Sequence, residues 1–131
     1  MANILLIDDL RSFKYSVLEE LNRTEPHTLV RICRSSGSAV EELAKDEREW
    51  DQVWFDHDLG MVDGEDDTTM NVVDYLIFRA RIGEPVPVKA FIIHSANPVG
   101  VVNIARALDS IGASSVIVDP RDFFEVAAQT L

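Results

Sequence analysis

One cysteine, Cys33, is all the chain has, so no intrachain disulfide can form. Its place inside an apolar run makes it a small buried hydrophobe. Positive charge is also scarce: 12 lysines and arginines stand against 23 aspartates and glutamates, a formal net charge of -11. That balance opposes sequence-independent attraction to phosphate backbones and excludes duplex nucleic acid as the expected direct partner. Solubility is the plain reading of the acidity; a metal-demanding carboxylate cluster and a DNA-mimicking surface are the others. No apolar run approaches the roughly 20 residues of a membrane span, and Met1-Ala2-Asn3 leads into Ile4 without a basic segment. We therefore expect no signal peptide, no membrane association and a cytoplasmic setting. Linkers, internal repeats and low-complexity tracts are missing too, so one domain over residues 1–131 is expected, with 47% hydrophobic content to cover both faces of a sheet.

What is present is an alternation of short apolar runs with segments of helical period, the pattern of a parallel sheet built from βαβ units. Strands are expected at Ile4-Leu5-Leu6-Ile7, at Thr28 to Cys33, at Val53-Trp54-Phe55, at Val88 to Ile93 and at Ser115 to Val118. Between them, Phe13, Val17, Leu18 and Leu21 mark a first helix. A second carries Val40, Leu43 and Ala44, with Ser38 placed to cap it. A third carries Met70, Val72, Val73, Leu76, Ile77 and Ala80, and a fourth carries Val101, Val102, Ile104, Ala105 and Leu108 before Gly112 ends it. Asp119-Pro120 opens a last helix with Phe123, Phe124, Val126 and Ala127 inward. Residues 60–69 are polar and acidic and read as a long loop, of a length more typical of a lid or binding loop than of a spacer.

Parallel strands all end at one edge, where open α/β sheets bind their ligands. The residues sent there are Asp8, Asp9, Asp56, His57, Asp58, His94, Ser95, Asn97 and Asp119. Five carboxylates together repel one another and call for a cation, a proton or full hydration. Carboxylate oxygens suit Mg2+, with Mn2+ as the alternative, and added imidazole would shift the preference toward manganese, iron or zinc. His57 and His94 each follow an apolar run directly, whereas His27 precedes a strand and belongs to the opposite edge. Asn97-Pro98 is a strong helix start, an N-cap followed by proline at the first helical position. A helix beginning there would aim backbone N–H groups at the same edge, as a phosphate cradle does.

These residues resemble a receiver domain, the phosphoacceptor module of two-component signalling, over essentially the whole chain. Asp8-Asp9 matches its acidic pair, Asp56 its phosphoacceptor position and Ser95-Ala96 its hydroxyl-bearing position. The resemblance implies a three-layer, doubly wound α/β sandwich of flavodoxin-like type, with a five-stranded parallel sheet of order 2-1-3-4-5. One match fails: where receivers carry lysine followed by proline, this chain has Asp119-Pro120. A carboxylate there would repel a phosphoryl group, so ordinary phospho-relay is not expected. The segments Phe55-Asp56-His57-Asp58-Leu59-Gly60, Asn71-Val72-Val73-Asp74-Tyr75-Leu76 and Ile93-His94-Ser95-Ala96-Asn97-Pro98-Val99-Gly100 are similar to the signatures of the cyclic-phosphate processing receiver-like domain family. That likeness implies small stand-alone proteins, frequent in phages and bacteria, that handle a cyclic phosphate on a nucleotide or RNA end.

The expectation that follows is a metal-assisted cyclic phosphodiesterase, or a domain that binds such an ester. Asp8, Asp9 and Asp56 would hold the metal, which activates water and neutralises phosphate charge. His57 and His94 would act as general base and acid in either order, since imidazole suits proton transfer near neutral pH. Ser95 and Asn97 would bind the phosphate, and Asp58 and Asp119 would orient the histidines. Two alternatives stay open: a stand-alone receiver phosphorylated on Asp56, and a degenerate receiver used to bind another protein.

Overall fold

The uninterrupted apolar run from Ile4 to Ile7 can be stable only where both of its faces are covered, and in the computed structural model all four of its residues are fully buried. The structure describes residues 2–9, 28–45, 48–95 and 97–118. Within these the chain forms β1 (Ala2–Ile7), β2 (Thr28–Cys33), α1 (Ser36–Ala44), β3 (Trp50–Phe55), β4 (Asp58–Val62), β5 (Glu65–Thr68), α2 (Met70–Arg81), β6 (Val88–Ile93), α3 (Pro98–Asp109) and β7 (Ser115–Ile117). The main sheet runs β2-β1-β3-β6-β7 with every pairing parallel. Counted as main-sheet strands, this is the expected order 2-1-3-4-5, and the receiver-like fold stands. Leu5, Ile7, Val53, Phe55, Phe91 and Ile93 pack with Leu43 of α1, Val72 and Leu76 of α2, and Ile104 and Leu108 of α3 in one cluster. Full burial of one such aliphatic side chain contributes about 1.5–3 kcal/mol. The expected helices around Phe13 to Leu21 and Phe123 to Ala127, and His27 and Asp119, lie outside the described residues.

Three local expectations change. Strand three begins at Trp50 rather than Val53, because Trp50, Gln52 and Trp54 alternate onto one buried face, where Gln52 Oε1 accepts from Trp54 Nε1 at 2.7 Å. Helix α1 is capped by Ser35; Ser38 is its third residue and closes the capping box from inside. The supposed loop after Gly60 is an antiparallel hairpin, β4 against β5. Asp63 and Gly64 sit at φ 52° and 80°, the pair of positive values that a two-residue hairpin turn needs. The acidic Glu65-Asp66-Asp67 has little strand propensity, which hides the hairpin. Asp67 instead anchors it: the buried carboxylate accepts from Ser36 N at 2.8 Å and Ser36 Oγ at 2.5 Å, and from Asn71 Nδ2 at 3.4 Å. The hairpin is thereby tied to the first residue of α1. No helix among the described residues is long and apolar enough to cross a membrane.

Candidate functional site

The sheet register carries beyond the strands and aligns the residues that follow them. Asp56 N donates to Ile7 O at 2.9 Å and His94 N donates to Phe55 O at 2.9 Å. Asp8, Asp56 and His94 therefore stand side by side at the C-terminal edge of β1, β3 and β6. One oxygen each from Asp8, Asp9 and Asp56 falls within 4.8 Å of the others. Asp8 is fully buried, Asp56 nearly so, and Asp9 half-buried. Burial pushes the Asp56 carboxyl above the usual aspartate range and Asp8 pushes it further, as does Asp9 more weakly; His94 and a hydrogen bond from Ser95 oppose them. Three hard oxygen donors at this spacing, with a carboxyl that resists ionisation while alone, fit a divalent cation of the Mg2+ or Mn2+ kind.

His94 lies inside this cluster. Its Nε2 is 3.0 Å from Asp8 Oδ2, its side chain is fully buried, and its ring lies 5.7 Å from the Trp54 ring. That geometry orients a carboxylate. Ser95 bonds Asp56 through its side chain, and its Oγ accepts from Asn97 N at 3.1 Å.

His57 occupies a different niche, at the base of the hairpin, where its carbonyl accepts from Thr69 N at 2.9 Å. Its Nδ1 is 2.9 Å from Asp58 Oδ1. Asp58 Oδ2 in turn accepts from Asn97 Nδ2 at 3.1 Å, and Asn97 Oδ1 caps α3 by accepting from Gly100 N at 3.0 Å. Asn97 thus has both ends of its amide engaged within the protein. Pro98 has no N–H and Gly100 N is taken, so the first turn of α3 offers Val99 N alone to an anion. Of the expected site residues, the structure brings Asp8, Asp9, Asp56, His94 and Ser95 into one group and His57, Asp58 and Asn97 into an adjoining one. Sequence reasoning gave no role to Gly60, which follows Asp58-Leu59 at φ 82°, nor to Gly100, which lies against the His57 ring. A glycine is a weak sequence signal, and only the folded neighbours show what its missing side chain admits.

Residues 3–110 match the family model of the Cyclic-phosphate processing Receiver domain. No curated protein matches the sequence. Among solved structures, the chain is similar to a response regulator protein from Burkholderia pseudomallei with a phosphorylated aspartic acid, calcium ion and citrate, at TM-score 0.58 and 15% identity over 98% of this chain and 72% of that one. A response regulator receiver domain protein from Clostridium thermocellum gives TM-score 0.56 and 16% identity, covering 99% and 94%. A chemotaxis protein from Vibrio cholerae gives 0.55 and 14%, covering 100% and 99%. Likeness at such identities establishes the fold alone.

Proposed function

Since the chain belongs to the cyclic-phosphate processing receiver domain family, we propose that it opens a cyclic phosphate ester on a nucleotide or RNA end with the help of a divalent metal. The observation that carries this reading is the pairing, at one sheet edge, of a three-carboxylate cluster with an imidazole steered by a carboxylate and an amide. Opening the ring joins a water oxygen to phosphorus and breaks one ribosyl P–O bond, leaving a monoester and a free hydroxyl. Two protons must move: one leaves the water, the other reaches the departing oxygen. Asp8, Asp9 and Asp56 would hold Mg2+, or Mn2+ in its place, whose charge would be set against that of the phosphate oxygens. His57 moves the proton at one end of the displacement, because Asp58 takes its Nδ1 and leaves Nε2 to exchange with substrate, and solvent water exchanges the proton at the other end. His94 fixes Asp8, and Asn97 fixes Asp58. Ser95, bonded to Asp56, would offer its side chain to the phosphate. Incubation of the protein and Mg2+ with a panel of 2′,3′-cyclic nucleotides and cyclic-ended RNA is expected to give linear monoesters. Absence of any product across the panel would refute the reading.

A second reading has its own support in Asp56, a buried carboxyl beside the Ser95 hydroxyl and two further carboxylates, as at a phosphoacceptor. It differs in one mass: a small-molecule phosphodonor would leave a stable phosphate on Asp56. The esterase reading expects the intact mass to stay unchanged, since the sequence places Asp119 where receivers place lysine.

A further inference from the structure

We propose that Gly100 is a positioning residue for His57, a role that rests on the esterase reading above for its catalytic meaning and on geometry alone for its structural one. Four residues close a circuit. Gly100 N donates to Asn97 Oδ1, Asn97 Nδ2 donates to Asp58 Oδ2, Asp58 Oδ1 holds His57 Nδ1, and the imidazole returns to lie on Gly100. A Cβ at position 100 would fall within 2.7 Å of Cβ, Cγ and Cδ2 of His57. Real side-chain carbons do not approach so closely, so any residue but glycine must drive the ring away.

The ring is consequently gripped on two sides. Asp58 holds the Nδ1 corner and the first turn of α3 covers the Cγ–Cδ2 edge, so the Cε1–Nε2 edge is the one left to face a ligand. Backbone conformation gives no other reason for the glycine: Gly100 sits inside a regular helix and not at positive φ. Alanine is the better helix former at such a position. A helix-only account therefore expects Gly100→Ala to stabilise, and the positioning account expects the reverse.

The test compares Gly100→Ala, His57→Gly and the double variant with the wild-type protein. In the wild-type background Gly100→Ala is expected to lower the melting temperature by roughly 4–10 °C, the scale of an overpacked contact. The His57 signals in the imidazole nitrogen-proton correlation spectrum should shift as the Asp58 bond is lost. Opening of a 2′,3′-cyclic nucleotide should fall at least about tenfold, mainly in kcat. In the His57→Gly background the same substitution should be neutral or stabilising, because the clashing atoms are gone. Unchanged His57 signals and an unchanged or higher melting temperature in Gly100→Ala would overturn the proposal. So would wild-type turnover by Gly100→Ala, or a double variant that fails to fold while His57→Gly folds. If wild-type protein opens no cyclic phosphate, the esterase reading fails, and the spectrum with the paired variants still decides for or against the hold of Gly100 on the ring.

Discussion

Replacing Asp67 with alanine removes the anchor of the β4–β5 hairpin, and the structure sets the size of the loss. The buried carboxylate takes two short bonds from Ser36, at 2.8 and 2.5 Å, and one long one from Asn71 at 3.4 Å. Bonds to a charged group contribute about 1.5–3 kcal/mol each, so the Ser36 pair alone is worth roughly 3–6 kcal/mol before relaxation. Alanine leaves room for water to satisfy part of the orphaned Ser36 N–H and hydroxyl, which reduces the net loss to about 2–4 kcal/mol. For a domain of this size that corresponds to a fall of roughly 6–20 °C in melting temperature. Urea unfolding followed by circular dichroism measures it directly. Asp67→Asn keeps one acceptor and should lose about half as much. The consequence reaches the site, because the hairpin starts at Asp58, the residue that holds His57. A loss below about 1 kcal/mol in Asp67→Ala would refute the reasoning that this carboxylate is what fixes the hairpin.

Two further outcomes follow from the charges. At neutral pH the ionised Asp56 is disfavoured by burial and by Asp8, so Asp56→Asn should raise the melting temperature of the metal-free protein. The same variant should abolish the rise that Mg2+ gives the wild type, about 2.7 kcal/mol at a hundredfold excess over Kd; a persisting rise would place the metal elsewhere. Burial pushes the Asp51 carboxyl up, but bonds from Asn3 N and Lys89, with the Lys89 charge, outweigh it and hold the carboxyl below its usual value. A depressed carboxyl stabilises the fold above its unfolded pKa, near 3.9, and that contribution is lost as pH falls through the lower folded value. The stability gap between wild type and Asp51→Asn should thus be full at neutral pH and close at strongly acid pH, and a gap that widens on acidification would contradict the assignment.

The sheet was legible because Ile4 to Ile7 and Ala90 to Ile93 have no polar interruption, and helices α2 and α3 show their buried faces at three-to-four spacing. The carboxylate cluster was legible for the same reason: parallel strands bring their following residues to one edge, whatever their distance in sequence. Partner choice was not. Asp8 and His94 are 86 residues apart, and nothing local says that this histidine is buried against that carboxylate while His57 takes Asp58. Asn97 shows the limit well, since its capping role is written in Asn97-Pro98 but the second use of its amide, toward Asp58, depends on where β4 lies. The hairpin itself was hidden by its acidic return strand, although Asp63-Gly64 carried the turn signal.

The esterase reading is tested most directly by steady-state opening of a 2′,3′-cyclic nucleotide by wild-type protein and His57→Ala in the presence of Mg2+. It expects kcat/KM to drop by about 10²–10⁴-fold in the variant, the usual contribution of a positioned proton-transfer group, with the fold retained by circular dichroism. A folded His57→Ala protein that keeps more than about one tenth of wild-type kcat/KM would contradict it.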